Sequence, residues 1–546
     1  MTFDAGSRGV VNSSDARGGS LRMANPGDWD SLDTGDTYYG YSWNFARLYS
    51  RTLVTYSSAP GAEGATLVPD LASELGKSSD GGKTWTYALK DGLTFQDGAP
   101  ITSADVKYAV ERSLDKETFP HGPTYFNEFL ADVPDGFSVY ESDTGLSSIE
   151  TPDEKTIVFH LNRAFAGFDY LAALPVTAPV PQAKDTGTRY QEQYVSSGPY
   201  KFESYEIAES FTLVRNDAWD PATDQVRGGL PDRIEMSLNV DPDDLDQRLL
   251  SGDLDLDVAN RGLGSAARAQ VLADPERKKQ ADAAATAKTW FTSINGEVAP
   301  FDKLECRQAV MYAVDRTGYQ AAFGGPIGGG DVATGLLPPS IPGHRAIDAY
   351  PVSTPTGDLE KAEQALAACG RPDGFETSYS YRNEIPVEKA AGEALQAALA
   401  RVGITVTLKG YPQSDYTALY AGKPSFAKKE NLGLLANGWI ADWPDGYGFL
   451  AQLVDSRVIR ESGGAYNFSV RDPQIDAMID AAVSELDDNA ARKDWAAIDA
   501  KVVEDAWVYP GVWSKSLLYR PKSLTNVFVS SGFGGYDFAA LGVDPN

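Results

Sequence analysis

The sequence predicts an α/β protein with at least two lobes. Its 546 residues exceed the size at which one hydrophobic core keeps growing, so more than one packed unit is expected. The first half is rich in short strand patterns bounded by turn residues, whereas helix and strand patterns alternate after about residue 289. Strands that alternate with helices are typical of an α/β lobe, and ligands often bind in the crevice between two lobes.

The composition is that of an ordinary globular protein with an acidic surface. Apolar residues make up 42% of the chain and charged residues 23%, and 77 acidic against 48 basic side chains give a net charge of −29. Such a surface repels phosphate backbones and anionic lipid headgroups. We therefore expect no nucleic-acid partner, and we interpret the acidity mainly as an adaptation for solubility.

Strand and turn patterns dominate the first half. Residues 89–98 contain two Asp-Gly pairs, which indicate tight turns. Thr102 is expected to cap a helix, with Asp105 as its partner three residues later. Residues 156–161 form an apolar run that is typical of a strand.

The middle of the chain continues with strands and one helix. Residues 211–215 and 234–238 alternate between apolar and polar side chains, as half-buried strands do. A helix is predicted near residues 245–251, and the chain returns to a strand at 254–258.

Helices and strands alternate after residue 289. Four helices are predicted to begin at residues that cap or open helices: Asp302, Asp358, Pro386 and Asp472. Gly370 and Gly403 stand where the second and third of these helices should stop, because glycine readily adopts the left-handed backbone of a helix end. Residues 404–408 then alternate as a strand.

The cysteines and histidines do not form a metal-binding pattern. The two cysteines, Cys306 and Cys369, and the three histidines lack the short spacings of zinc ligands. No metal site and no cofactor are therefore predicted. Two cysteines in a chain of this length fit either one disulfide or two buried thiols.

Sequence motifs of common enzymes are missing. The chain has no Gly-x-Ser-x-Gly elbow, no phosphate-binding loop and no His-Glu-x-x-His helix. The glycine-rich residues 324–330 lack the lysine of a phosphate-binding loop, so we interpret them as a flexible loop. The composition permits one enzyme class, an acidic secreted glycoside hydrolase, which needs only two carboxylates and aromatic platforms.

One segment combines a carboxylate with two tryptophans. Asp442 lies between Trp439 and Trp443 at the end of an apolar strand pattern. Asp442 has two interpretations, a turn residue or helix cap beside core tryptophans, or a partly dry carboxylate that pairs with a ligand ammonium.

Several segments resemble a known family in the same order along the chain. They are residues 69–75 (PDLASEL), 80–87 (DGGKTWTY), 89–98 (LKDGLTFQDG), 197–202 (SGPYKF), 301–316, 369–375 (CGRPDGF) and 438–445 (GWIADWPD). Each match is weak alone, but the ordered set is specific. The sequence resembles the extracytoplasmic oligopeptide- and dipeptide-binding proteins, family 5, of ATP-binding-cassette importers.

The resemblance implies a two-lobed clamshell like that of periplasmic binding proteins, with mixed β-sheets and an extra subdomain in lobe one. The glycine- and serine-rich residues 1–19 are expected to be a flexible tether. The implied divisions are a lobe one core of residues 20–60, 185–289 and 513–546, an extra subdomain of residues 61–184, and lobe two of residues 290–512.

The resemblance also implies a ligand site and no catalysis. In that family, the aspartate at the position of Asp442 holds the α-amino group of a peptide. The other residues expected at the ligand are Gly438, Trp439, Ile440, Trp443, Trp29, Trp513 and Tyr108. Trp29 could equally be a half-buried structural aromatic, and the helical position of Tyr108 favours a core role. Since an exported protein meets oxidising conditions, we also expect Cys306 and Cys369 to form a disulfide within lobe two.

The implied partners are a peptide or other small solute and an ABC transporter permease in the membrane, with the chain itself a monomer. The implied location is extracellular or periplasmic, with a lipid anchor in the full-length precursor whose signal segment this chain lacks. Two alternatives stay open: a binding protein for an oligosaccharide or another solute, favoured if some of the 10 Trp and 27 Tyr stack on sugars, and the acidic hydrolase.

Overall fold

A computed structural model describes residues 2–142, 144–350 and 352–544. The chain divides into two compact units, unit 1 (Met1–Ala284 and Leu517–Asn546) and unit 2 (Ala285–Ser516). The chain passes from one unit to the other inside two long strands, Ala281–Ile294 and Val508–Tyr519. The boundaries predicted for lobe two, at residues 290 and 512, fall inside the same two strands.

The strands are numbered in chain order. They are β1 (Ser20–Ala24), β2 (Val54–Tyr56), β3 (Leu67–Pro69), β4 (Lys77–Ser79), β5 (Thr84–Ala88), β6 (Ile149–Glu150), β7 (Thr156–His160), β8 (Tyr200–Glu206), β9 (Ser210–Arg215), β10 (Arg233–Ser237), β11 (Leu256–Asp257), β12 (Ala281–Ile294), β13 (Gly330–Val332), β14 (Glu376–Arg382), β15 (Thr405–Tyr411), β16 (Leu432–Ile440), β17 (Val508–Tyr519), β18 (Leu524–Thr525), β19 (Val529–Ser530), β20 (Gly535–Tyr536) and β21 (Gly542–Val543).

The α-helices are numbered in the same way. They are α1 (Gly40–Ala46), α2 (Ser103–Ser113), α3 (Tyr125–Phe129), α4 (Phe168–Ala172), α5 (Pro242–Ser251), α6 (Ser265–Ala273), α7 (Pro275–Lys278), α8 (Leu304–Ala313), α9 (Arg316–Ala322), α10 (Gly325–Gly328), α11 (Leu359–Ala368), α12 (Pro386–Ala400), α13 (Pro424–Lys429), α14 (Gly446–Val454), α15 (Pro473–Ser484) and α16 (Asp488–Glu504).

Unit 1 contains two main sheets. A five-stranded mixed sheet has the order β11-β1-β10-β9-β8, in which β1 runs parallel to both of its neighbours. A four-stranded antiparallel sheet, β4-β5-β7-β6, lies within the segment for which an extra subdomain was predicted. Alternate residues of β9 and β10 face the core, as the apolar alternation of residues 211–215 and 234–238 predicted, and the apolar run 156–161 contains β7.

The first nineteen residues are not a free tether in the part that the structure describes. The backbone N–H of Gly6 donates to buried Asp282 at 2.8 Å, and Val11, only 6% exposed, pairs with Val527. The expectation of a flexible segment was wrong, because glycine- and serine-rich composition reports local chain entropy and not the hydrogen-bond partners that distant residues supply.

Unit 2 is built on one six-stranded mixed sheet. Its order is β13-β17-β12-β16-β14-β15, with β14 parallel to β15 and β16 and with β12 antiparallel to β16. The helix α12 connects β14 to β15, and a helix of this length can form the crossover between two parallel strands. The beginning of β16 therefore pairs with β14, and its end pairs with β12.

Three of the four predicted helix starts in unit 2 match the structure. The side chains of Asp358 and Asp472 accept backbone N–H groups at the starts of α11 and α15, and Pro386 opens α12. The helix expected from Asp302 begins instead at Leu304, with Lys303 as its cap residue. The glycine-rich residues 324–330 contain the short helix α10 and the first residue of β13, and not a loop throughout.

The two cysteines meet in unit 2. Cys306 lies in α8 and Cys369 follows the last residue of α11, and the structure joins their sulfur atoms in a disulfide across 63 residues of sequence. Gly370, with φ of +80°, turns the chain out of α11 directly afterwards.

Candidate functional site

The candidate site is the end of β16 and the loop that leads to α14. Seven residues of β16 pair with β12, so that Ile440, Trp439 and Gly438 stand opposite Lys288, Thr289 and Trp290. The strand is buried over most of its length, but Ile440 at its end is 52% exposed. The polypeptide thus emerges from the core where the sequence GWIAD was expected to bind a ligand.

Gly438 allows close packing between strands. A Cβ atom on Gly438 would lie 2.5 Å from Trp290 Cε3 and 3.1 Å from Lys288 Cε, which is too close to the first atom for any side chain. The missing side chain lets the Trp290 ring and the stem of Lys288 cover the backbone of β16. Only glycine at position 438 therefore permits this close packing of Trp290 and Lys288.

Trp439 is half-buried on the opposite side of the strand from Gly438. Its indole N–H points to the carbonyl of Gly448 at 3.4 Å, and its ring lies 4.9 Å from the ring of Tyr466. The backbone N–H of Asp442 donates to the same Gly448 carbonyl at 3.2 Å. These contacts hold the loop after β16 against the first turn of α14.

Two aspartates of this loop have different roles. Asp445 is the N-cap of α14, and its carboxylate accepts the backbone N–H of Gly448 at 2.7 Å. The role of helix cap, which was one of the two interpretations of Asp442, thus belongs to Asp445. Asp442 is half-buried and lies two residues beyond the exposed end of β16.

Trp443 is a core residue of unit 2. Its side chain is 2% exposed and stacks on Tyr447 with ring centroids 5.8 Å apart. Burial raises the pKa of Asp445 to about 7, and hydrogen bonds from the Gly448 N–H and the Trp443 indole oppose that rise. The structure gives Trp443 a positioning role beside Asp445, and a direct contact with ligand stays a prediction.

Lys288 of β12 is the cation that pairs with the end of β16, opposite Ile440. Its ammonium lies 3.3 Å from the centroid of the Trp290 ring, over the ring face. Burial, together with the positive charge of Arg382, lowers the pKa of Lys288 to about 7, while Glu388 opposes this effect. The side chain is half-buried, so solvent or a ligand can reach it.

Arg382 and Glu388 form a buried ion pair behind Lys288. Glu388, 1% exposed, accepts hydrogen bonds from the backbone N–H and the Nε of Arg382, both at 2.9 Å. The Arg382 guanidinium lies 5.9 Å from the centroid of Trp290 and 5.6 Å from that of Tyr416. The pair fixes a second cation near the same tryptophan that Lys288 covers.

Trp513 lies on β17 in the same sheet and is half-buried. Its indole N–H donates to the carbonyl of Gly335 at 3.1 Å, and His344 meets its ring edge-on at 4.7 Å. Trp513 thus lies beside β13 in the sheet. Its contact with a ligand stays a prediction.

The two remaining candidates belong to unit 1 and are buried there. Trp29 is 6% exposed and packs against Tyr41, Phe45 and Phe211 at 5.2–5.5 Å between ring centroids. Tyr108, in α2, is 8% exposed, and its hydroxyl donates to Asp185 at 2.9 Å. Both rings are therefore held by the core of unit 1, and their contact with ligand stays a prediction.

Sequence reasoning missed Lys288, Arg382 and Asp445. The Asp-Gly-Tyr-Gly pattern at 445–448 could have identified the cap, since aspartate before a helix is a standard start signal. Lys288 and Arg382 carry no such local signal, because their environment depends on Trp290 and on the pairing of separate strands.

The described residues contain no group of three or more His, Cys, Asp or Glu side chains that could hold a metal ion. Over the same part of the chain, no helix is long and apolar enough to cross a membrane. The chemistry available at the end of β16 is that of charged and aromatic recognition.

Comparison with known proteins defines the class. The family model of the bacterial extracellular solute-binding proteins, family 5 (middle part), matches residues 66–460, which is more than half of the chain. The chain belongs to this family. It is a non-enzymatic, extracellular or periplasmic solute-binding component of an ABC importer with a mixed α/β periplasmic-binding-protein fold, and the alternative of a glycoside hydrolase is set aside.

Particular relatives differ in the ligands that their names state. The solved structure of the clavulanic acid biosynthesis oligopeptide binding protein 2 is similar with a TM-score of 0.95 and 42% identity over 99% of this chain and 98% of that chain. Heme-binding protein A of Haemophilus influenzae is 27% identical over 81% of this chain and 77% of its own length. The probable D,D-dipeptide-binding periplasmic protein DdpA of Escherichia coli is 23% identical over 90% of this chain and 87% of its own length.

Proposed function

We propose that this solute-binding protein binds peptides and delivers them to a membrane permease, with Asp442 pairing with the peptide α-ammonium. The observation that carries the proposal is the position of Asp442, half-buried beyond the end of β16, while Asp445 serves as the helix cap. The similarity to a structure described as an oligopeptide binding protein supports a peptide over the other solutes that relatives bind.

The proposal follows from the physics of a partly dry charge pair. A carboxylate beside Trp439 and the loop backbone is screened by water less than one in bulk solution. Its electrostatic attraction for an ammonium group is therefore stronger. Backbone groups at the exposed end of β16 can add hydrogen bonds that do not depend on side-chain identity. The pair would set the register of the peptide, and the backbone contacts would supply affinity.

The first experiment identifies what the protein retains. Purified protein is incubated with a tryptic digest of casein, desalted and analysed by native mass spectrometry, and the released ligands are then sequenced under denaturing conditions. We expect retained peptides. Retention of a sugar or of heme from a matched mixture, with no peptide retained, would contradict the proposal.

The second experiment measures the role of Asp442. Asp442→Asn keeps the shape and removes the charge, so the loss of a buried charge pair should cost about 2–5 kcal/mol, or roughly 30- to 3,000-fold in affinity. Calorimetry compares the most abundant retained peptide with its N-acetylated form on both proteins. Because both changes remove the same pair, their effects should be less than additive.

Asp373→Asn is the matched control, because Asp373 is an exposed turn residue of the same unit. It should bind both peptides as the wild type does. Equal binding of free and acetylated peptide by wild type and Asp442→Asn would show that the carboxylate does not read the amino end, although peptide binding itself could stand.

A further inference from the structure

The N-terminal residues 2–12 contact the unit 1 ends of β12 and β17, the two strands in which the chain passes between the units. Asp282, the second residue of β12, is 0% exposed and accepts hydrogen bonds from the Gly6 backbone N–H and from Arg520 Nε, both at 2.8 Å. Arg520 directly follows β17, and its Nη2 donates to the carbonyl of Thr2 at 3.3 Å. One buried carboxylate thus joins the N-terminal segment to both strands.

Asp4 forms a second attachment to β12. Its backbone N–H donates to the carbonyl of Ala281 at 2.9 Å, and its carboxylate accepts the backbone N–H of Ala283 at 3.0 Å. Asp4 has a left-handed backbone with φ of +63°, which aspartate tolerates better than most residues that carry a Cβ atom. A Cβ atom on Gly6 would lie 2.7 Å from Asp282 Oδ2, so the close approach of this segment to β12 also requires glycine.

β12 contains a strained residue shortly after these attachments. Ala287 has φ of +54°, a left-handed conformation that is costly for a residue with a Cβ atom. Such conformations persist only where the surrounding structure fixes the chain on both sides. Pairing with β16 fixes β12 from Lys288 onwards, and the bonds of Asp4 and Gly6 fix it before Ala287.

We propose that residues 2–12 are a brace that keeps β12 in its strained conformation at Ala287, and that release of this brace weakens ligand binding. The residues directly after Ala287, from Lys288 to Trp290, pair with the end of β16 at the candidate site. When the brace is released, Ala287 relaxes towards an ordinary strand conformation and disturbs this pairing. The apparent dissociation constant then rises, because a smaller fraction of the molecules is competent to bind. The effect on affinity rests on the proposed function, whereas the effect on the strand does not.

Four substitutions test the brace. Asp4→Ala removes the acceptor of the Ala283 N–H, whereas Asp4→Asn keeps an acceptor oxygen and a residue that tolerates the left-handed backbone. Ala287→Gly removes the strain, because glycine adopts positive φ freely. Asp15→Ala is the control, since Asp15 is an exposed carboxylate of the same N-terminal region. Hydrogen exchange over residues 284–292 measures opening of β12, and calorimetry measures affinity for the most abundant peptide retained from the casein digest.

We expect Asp4→Ala to exchange faster than wild type over residues 284–292 and to bind the peptide about 5-fold or more weakly, as is typical of coupling between separate positions. Asp4→Asn should recover most of both properties, and Asp15→Ala should match wild type. In the Ala287→Gly background, Asp4→Ala should weaken binding less, because glycine at this position gains nothing by relaxing. Such non-additivity shows that the two positions act on one conformation.

Two results overturn the inference while peptide binding stands. If Asp4→Ala lowers the urea midpoint of unfolding but leaves exchange over residues 284–292 and affinity unchanged, residues 2–12 only add stability. If Asp4→Ala weakens binding equally in both backgrounds, the brace does not act on the strain at Ala287. If wild type and all variants retain no peptide, the proposed peptide function fails. Hydrogen exchange then decides the brace alone, supported by faster exchange in Asp4→Ala and overturned by unchanged exchange.

Discussion

Asp442 and Asp445 are only three positions apart in the sequence, but their carboxylates lie in different environments. Asp445 lies under the start of α14, where it accepts the Gly448 N–H and lies beside the buried Trp443. Asp442 lies closer to the exposed end of β16. A helix N-terminus favours a negative charge, but the loss of water around Asp445 outweighs that gain and raises its pKa.

Asp445 should make stability depend on pH. Its folded pKa of about 7 exceeds the unfolded value of about 3.9, so the folded state holds more protons between these values and stability falls as the pH rises from about 4 to 7. Asp445→Asn keeps an N-cap acceptor and removes the titration. Its melting temperature relative to wild type should therefore be higher at pH 8 than at pH 5.

Differential scanning calorimetry at constant ionic strength checks this prediction. The titration of Lys288 is common to both proteins and cancels in the difference. Asp373→Asn, at an exposed turn, should show the same offset from wild type at both pH values. A constant offset for Asp445→Asn as well would mean that Asp445 is charged in the folded protein across this range.

At the scale of elements, the sheet of unit 2 brings together the residues of the candidate site. β12 supplies Lys288 and Trp290, β14 supplies Arg382, and β16 runs between these strands. The absence of a side chain at Gly438 lets the groups of β12 lie across the backbone of β16. The helices α8 and α11 are joined beside this sheet by the disulfide.

The disulfide should stabilise unit 2 through the entropy of the unfolded chain. Closing a loop of 63 residues corresponds to about 4 kcal/mol in the chain-entropy model, and native disulfides typically contribute about 2–5 kcal/mol. The double variant Cys306→Ala/Cys369→Ala should therefore lower the free energy of unfolding in urea by about 2–4 kcal/mol.

Reducing agent provides the control for this double variant, because replacing two buried cysteines also removes packing. Dithiothreitol should lower the stability of wild type and leave the variant unchanged. Two reactive thiols in unreduced, denatured wild type, or no response of wild type to reduction, would contradict a stabilising disulfide.

At the scale of the whole molecule, buried and exposed charges have opposite consequences. Unit 1 contains a buried network in which Asp70 accepts from both Arg51 and Arg227 at 2.7 Å, and Asp224 completes it. Salt hardly screens such enclosed groups. The excess of acidic groups, with a net charge of −29, is chiefly a surface property and repels itself.

Moderate salt should stabilise this protein. The Debye length falls from about 30 Å at 0.01 M to about 8 Å at 0.15 M, so repulsion across the acidic surface weakens, while exposed ion pairs are worth only about 0–1 kcal/mol each. The melting temperature should therefore rise between about 10 and about 150 mM NaCl, the range over which the Debye length shortens. Sodium perchlorate at matched ionic strength separates screening from salting-out, and a fall in both salts would mean that attractive pairs dominate.

The sequence by itself determined the features that depend on neighbours along the chain. Asp358 and Asp472 cap helices and Gly403 ends one, because caps and left-handed turns are local conformational preferences. The ordered motifs also identified the family and led to Asp442. Local preference did not place the start of α8, where Lys303 took the position expected for Asp302.

Only the tertiary structure decided the features that depend on distant partners. Within residues 2–19, Gly6 bonds to Asp282 and Val11 pairs with Val527, which no local pattern reveals. Strand pairing places Lys288 near Trp290 and Arg382, and among the described residues no carboxylate forms an ion pair with it. Burial, charge compensation and close approach are properties of packed strands, so the chemistry of this surface emerges only when the sheet forms.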